Sequence, residues 1–158
     1  MISQRSRYAL KALIHLARLG PGAARSTRLI AQNEQIPAAF LEQIMLDLKR
    51  AGFVSSKRGK EGGYQLDKLP EKLTLATILR QIDGPVAPLP CLSRTAYRRC
   101  EDCGDEATCG LRAILSETHE ATLAILEKRT LAEAIARADL NSSELGAFGQ
   151  DVFAGAFI

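Results

Sequence analysis

The sequence predicts a mainly α-helical fold carrying one small β-hairpin. Three observations point there. Apolar residues recur at three- and four-residue spacing through most of the 158 residues, as in helices with one packed face. Aromatic residues make up only 5% and Trp is absent, while Leu, Ile and Ala abound, which suits helix packing better than stacked sheets. Between residues 53 and 66 the pattern changes to two short β-prone runs around a basic, Gly-rich segment.

The first helix is expected over residues 6–19, where Ala9, Leu10, Ala12, Leu13, Leu16 and Ala17 share one face and Gly20-Pro21-Gly22 ends it. A second, shorter helix follows over residues 27–34, capped by Ser26 or Thr27, with Ile30 and Ala31 inward. Pro37 fits the first position of a third helix, over residues 37–50, because that position needs no amide hydrogen. Its stripe of Leu41, Ile44, Met45 and Leu48 leaves Glu42, Gln43, Asp47, Lys49 and Arg50 on other faces. Two such helices joined by a tight turn form a helix-turn-helix pattern, whose second helix can enter a DNA major groove.

Phe53-Val54-Ser55-Ser56 and Tyr64-Gln65-Leu66 then read as strands of a wing. Gly59, Gly62 and Gly63 free its tip for tight turning, and Lys57, Arg58 and Lys60 supply charge for phosphate. Thr74 caps a helix through Asp83, stopped by Gly84-Pro85. A long helix is expected over residues 110–128, with Leu111, Ile114, Leu115, Thr118, Thr122, Ile125 and Leu126 as its apolar stripe and Glu117, Glu120 and Glu127 outside. A stripe of this length suits a twofold partner helix. Thr130 caps a short helix to about Ala138.

The fold class is therefore a winged helix-turn-helix domain with a long C-terminal dimerisation helix. The organisation is residues 1–84 as the winged domain, 85–109 as a cysteine-rich loop, 110–138 as dimerisation helix and short following helix, and 139–158 as a flexible tail. The tail ends in Val152, Phe153, Phe157 and Ile158.

Charge divides along the same line. Residues 1–68 hold 12 Lys and Arg against 5 Asp and Glu, and residues 69–158 hold 9 against 13, so a basic front half precedes an acidic back half. A basic front half is what phosphate binding requires. The N-terminus places Arg5, Arg7 and Lys11 inside its apolar pattern, unlike a signal peptide, and no run approaches a membrane span, so a cytoplasmic protein without membrane partners is expected. No Ser-His-Asp, His-x-x-x-His or phosphate-loop pattern is present, and no enzyme is expected. His15 and His119 read as packing or surface residues.

All four cysteines lie in the order Cys91-x8-Cys100-x2-Cys103-x5-Cys109. Clustered thiolates are costly unless a metal neutralises them, and four soft sulfur ligands suit an iron-sulfur cluster or zinc. The single CxxC pair counts modestly against zinc knuckles. A thiol switch or oxidoreductase at Cys100-Glu101-Asp102-Cys103 is disfavoured by the acids beside the thiols.

RYALKALIHLA (7–17), FLEQIMLDLKRAGFVSSKRGKEGGYQL (40–66) and the cysteine loop before a long helix together resemble the IscR and NsrR group of bacterial winged-helix regulators, the Rrf-two superfamily. The resemblance implies a homodimer paired through residues 110–128, binding a palindromic operator in double-stranded DNA, and transcriptional control, repression above all, by a cluster that senses iron, redox state or nitric oxide. It places Ala38, Ala39, Phe40, Glu42 and Gln43 near base edges and backbone, and residues 58–63 at the wing tip. Arg5, Arg7, Lys49, Arg50, Lys57 and Tyr64 complete the expected DNA-binding set. Glu42 can accept from cytosine N4 but is repelled by phosphate, so it suits sequence choice.

The ligand positions depart from the best-known relatives. Where some have a His three residues after the last cysteine, this chain has Arg112; where others have an acid before the aromatic of the first helix, it has Arg7. Cys100, Cys103 and Cys109 are the expected ligands, with Cys91 the most available fourth. The resemblance leaves [2Fe-2S] and [4Fe-4S] both open.

Overall fold

A computed structural model of the chain describes residues 2–59 and 62–148. It is mainly helical with one two-stranded antiparallel sheet: α1 (Gln4–Arg18), α2 (Thr27–Glu34), α3 (Ala38–Arg50), β1 (Val54–Lys57), β2 (Gly63–Leu66), α4 (Leu75–Asp83), α5 (Gly110–Lys128) and α6 (Leu131–Phe148).

Helix starts are set by local chemistry. Ser3, Ser26 and Thr74 each accept a hydrogen bond from the amide three residues on, at 3.0, 3.4 and 3.2 Å, satisfying donors that the first helical turn leaves unpaired. The turn between α2 and α3 is made by Gln35 in the left-handed region (φ 54°) and by the Ile36 amide donating to the Ala31 carbonyl at 2.9 Å. Ile36 then packs inward, and Pro37 stands as the cap of α3 rather than its first residue, one position earlier than the sequence suggests. Pro37 keeps an extended ψ of 124°, and its carbonyl receives the Leu41 amide at 3.0 Å.

The core gathers Leu13 and Leu16 of α1, Ile30 of α2, Leu41, Ile44, Met45 and Leu48 of α3, Val54 of β1 and Ile78 of α4. Each fully buried Leu or Ile contributes about 1.5–3 kcal/mol of burial, so α3 is fixed chiefly by its inner stripe. Val54 pairs Leu66 and Ser56 pairs Tyr64 across the hairpin. Arg25, just before α2, extends this sheet by one residue: its amide donates to the Tyr64 carbonyl and its carbonyl receives the Tyr64 amide, both at 2.9 Å.

The far end of the chain returns to this core. Thr74 pairs with Thr130, the Leu131 amide donates to the Leu73 carbonyl at 2.8 Å, and Leu131 is fully buried in the same core, where α6 packs on α1. Thr130 and Glu133 form a reciprocal capping box, amide to carboxylate at 2.8 Å and amide to hydroxyl at 3.2 Å. The helix it starts does not end near Ala138; α6 continues to Phe148. Asn141, Ser142, Ser143 and Gly146 are individually weak helix formers, but a nucleated helix propagates through such penalties, and no Pro interrupts the run. The flexible tail expected over 139–158 is thus helical over 139–148, and residues 149–158 lie outside the described residues.

Candidate DNA-reading surface and cysteine cluster

Burying Leu41, Ile44, Met45 and Leu48 turns the opposite face of α3 outward, so Ala38, Ala39, Phe40, Glu42, Gln43, Lys49 and Arg50 are all exposed. Phe40 is not wholly available: its ring meets Tyr8 edge-to-face at 5.7 Å and 79°. Lys49 donates to Ser56 Oγ at 2.8 Å and so leans against the wing, while Arg50 pairs with Asp47 at 3.2 Å. Asp47 also takes Arg5 of α1. Arg5, expected to face phosphate, is therefore paired with the reading helix, a long-range contact that local sequence does not encode. Arg7 is exposed and donates to Gln4 at 3.0 Å.

On the wing, Lys57 and Arg58 are exposed and the Gly62 amide donates to the Gly59 carbonyl at 2.9 Å. A Cβ on Gly62 would lie 2.6 Å from the Lys57 carbonyl oxygen, and one on Gly63 only 2.2 Å from that of Arg25. These two glycines fit the wing to itself and to the strand-like residue Arg25 just before α2. Tyr64 is half-buried against the core, and Lys60 lies outside the described residues. Two basic residues go beyond the expected set. Arg28 is exposed on α2, and Arg25, half-buried, leaves its Nε without a partner. Their signal was available in ARSTRL (24–29), where basic residues flank the cap of the first helix of the helix-turn-helix pair.

The cysteine loop packs at the start of α5. Cys91 is buried in a short 3₁₀ turn (Pro90–Leu92), and Cys109 caps α5, its Sγ accepting the Arg112 amide at 3.4 Å. Between them the Cys103 amide donates to the Cys100 carbonyl at 3.3 Å. All four are unpaired thiols. Partial burial, followed by the hydrogen-bonded Cys91 thiol, pushes Cys100 up; burial and the Cys109 charge push Cys103 up, with Arg99 opposing. Neighbouring sulfurs thus add to burial in disfavouring the thiolate forms of Cys100 and Cys103. A cationic centre would relieve that repulsion, so the donor set fits a sulfur-ligated group. Among the described residues, no three His, Cys, Asp or Glu side chains converge as a single metal ion would need.

Arg112 holds the loop closed. One guanidinium nitrogen donates to the Cys91 carbonyl at 2.8 Å and to Glu106 Oε2 at 2.9 Å, while the Tyr97 hydroxyl donates to Glu106 Oε1 at 2.6 Å. Arg99 donates to the carbonyls of Cys103 and Gly104 at 3.0 and 2.7 Å.

Beyond the loop, much of the apolar stripe expected on α5 is left uncovered. Leu123 and His119 are buried, whereas Leu111, Ile114 and Ile125 are 59%, 71% and 60% exposed. Among the described residues, no helix is long and apolar enough to cross a membrane.

Fold and surface together define a winged helix-turn-helix regulator with a cysteine-rich loop at the root of a long helix. Residues 2–137 match the Rrf2 family, described as an iron-dependent transcriptional regulator. An Rrf2-like HTH-type transcriptional regulator of Rhodobacter capsulatus is 45% identical over 139 residues, covering 86% of this chain and 93% of that one. The regulator NsrR of Bacillus subtilis is 29% identical over 128 residues, covering 81% and 85%. The structure of CymR, the global cysteine regulator of B. subtilis, superposes with a TM-score of 0.72 at 30% identity, covering 87% of this chain and 97% of that one. The chain belongs to the Rrf2 family of transcriptional regulators.

Proposed function

We propose that the protein is a homodimeric, operator-binding repressor whose DNA affinity is set by an iron-sulfur cluster held by Cys91, Cys100, Cys103 and Cys109. One observation carries the reading: four free cysteines share one loop whose two ends meet at the first turn of α5, where Cys109 is the cap and Arg112 bonds the Cys91 carbonyl. The family description as iron-dependent supports it. When bound, the cluster supplies redox and nitric-oxide reactivity to a site that side chains alone lack. The cysteines hold it, Arg99 and Arg112 compensate thiolate charge, and burial of Cys91 limits water on one side.

The reading face is α3 with Glu42 and Gln43 toward base edges, Arg28, Lys49, Lys57 and Arg58 toward phosphates, and the wing in the neighbouring minor groove. The exposed stripe of Leu111, Ile114 and Ile125 supports pairing of two copies along α5. A groove of about 590 Å³, lined by Leu79, Val86, Leu115, His119 and Leu126, leaves further apolar surface of this side open.

Anaerobic purification with iron, sulfide and zinc analysis tests the cluster. The expected result is a coloured protein holding iron and sulfide, with Cys103→Ala colourless. Unchanged iron content in that variant overturns the ligand assignment. A second reading, a thiol-switched or zinc-bound regulator, is favoured by the four free cysteines of this one loop. Colourless wild-type protein with stoichiometric zinc, or with operator binding lost and regained by oxidation and reduction, selects it.

A further inference from the structure

We propose that Arg112 is a positioning residue that assembles the cysteine site before any cluster enters it, by tying the first cysteine of the loop to the last. The inference deepens the proposed cysteine site and rests on that reading.

Cys91 and Arg112 are 21 residues apart in sequence, with Cys100, Cys103 and Cys109 between them. Bringing the ends of such a segment together costs conformational entropy, and in a cluster-free chain the metal cannot offset it. Two bonds at one residue do the closing. The Arg112 amide donates to Cys109 Sγ, and its side chain reaches across to the Cys91 carbonyl. Both ends of the cysteine run are thus referred to one position in the first turn of α5. Glu106 holds the guanidinium from the far side, and Tyr97 orients Glu106 by bonding its other carboxylate oxygen. Tyr97, Glu106, Arg112 and Cys91 form a continuous chain of donors and acceptors across the loop. It fixes the peptide of Cys91, the one cysteine of the four that is buried.

The choice of Arg has a second consequence. A neutral side chain could close the loop, but a guanidinium also places a permanent positive charge beside the thiolates. That charge favours the more negative of any two charge states the site adopts, so it favours the reduced form of a bound cluster.

The experiment compares wild type with Arg112→Ala, Arg112→Lys, Glu106→Gln and Tyr97→Phe. In the metal-free, reduced protein, alkylation by iodoacetamide is followed at each cysteine by mass spectrometry. Arg112→Ala is expected to speed Cys91 alkylation at least tenfold while changing Cys100 less than threefold, and Glu106→Gln to speed Cys91 severalfold. In the cluster-loaded protein, Arg112→Ala is expected to shorten cluster lifetime under a chelator at least tenfold and to make the reduction potential more negative. Arg112→Lys, which keeps charge and one donor, recovers most of the potential but less of the lifetime.

Cys91 alkylation within twofold of wild type in Arg112→Ala and Glu106→Gln overturns the proposal. If Arg112→Ala does not fold, Glu106→Gln and Tyr97→Phe decide it on the same alkylation readout. Wild type that carries no iron and sulfide removes the cluster reading, while the alkylation arm still decides whether Arg112 sets Cys91.

Discussion

Gly63 shows how one residue can look like a ligand contact and act as a joint. The sequence places it at the wing tip, and its tolerance of unusual φ is real (149°), but what excludes a side chain is the Arg25 carbonyl 2.2 Å from where a Cβ would sit. Gly63→Ala is therefore expected to pry the wing from α2, costing about 1–3 kcal/mol by thermal denaturation and weakening operator binding in the same variant. Arg5 makes the converse point. Its charge was legible in the sequence, but its pairing with Asp47 across two helices was not, because contacts between residues 42 apart leave no local periodicity. Arg112 is alike: the sequence showed that it could not ligate, and only the folded loop shows it bonded to the carbonyl of Cys91.

At the scale of elements, legibility followed the chemistry of ends and faces. Ser26, Thr74 and Thr130 announced their helices because cap bonds are local, and the predicted core stripe of α3 is the buried one for the same reason. The length of α6 was not legible, since polar and glycine residues only weaken a helix without forbidding it. Nor was the fate of the α5 stripe, because amphipathicity tells which face is apolar and not what covers it. Ile114, 71% exposed, is the sharper test of that face. Ile114→Glu is expected to convert a dimer to a monomer in sedimentation velocity, with little change in helicity.

The joint between α4 and α1 carries a pH signature. Burial acts to raise Asp83, but hydrogen bonds from the Ser3 hydroxyl and amide outweigh it and hold the carboxyl below its ordinary value. A carboxyl so lowered stabilises the fold above its unfolded pKa, about 3.9, and loses that contribution as pH falls through the folded value. Asp83→Asn should thus lower stability near neutrality, with the gap to wild type closing as pH falls through the lowered folded value of the carboxyl, in denaturant titrations.

For the whole molecule, the cysteine loop and reading helix are joined by a traceable series of contacts. Arg94 of the loop pairs with Glu120 and Glu127 of α5, and Arg80 of α4 shares Glu127. The end of α4 grips Ser3, the cap of α1, and Arg5 of α1 pairs with Asp47 of α3. Symmetry gives this scale its own measurement. Binding should weaken linearly in log-log salt plots, by a slope of about 0.9 per phosphate neutralised, so Arg58→Ala should lower the slope by about 1.8 in a twofold dimer and about 0.9 in a monomer. A slope unchanged by Arg58→Ala would remove the wing from the phosphate contacts.

Leu131, fully buried in the core of the DNA-reading head, has a consequence for how the protein is made. Chains emerge from the ribosome N-terminus first, so a nascent chain can display α3 and the wing while its core still lacks one of the side chains that complete it. A product cut short within α5 would keep α3 and the wing but leave an apolar gap in the core where Leu131 belongs. Such fragments are expected to go to proteases, which removes half-finished copies before they accumulate.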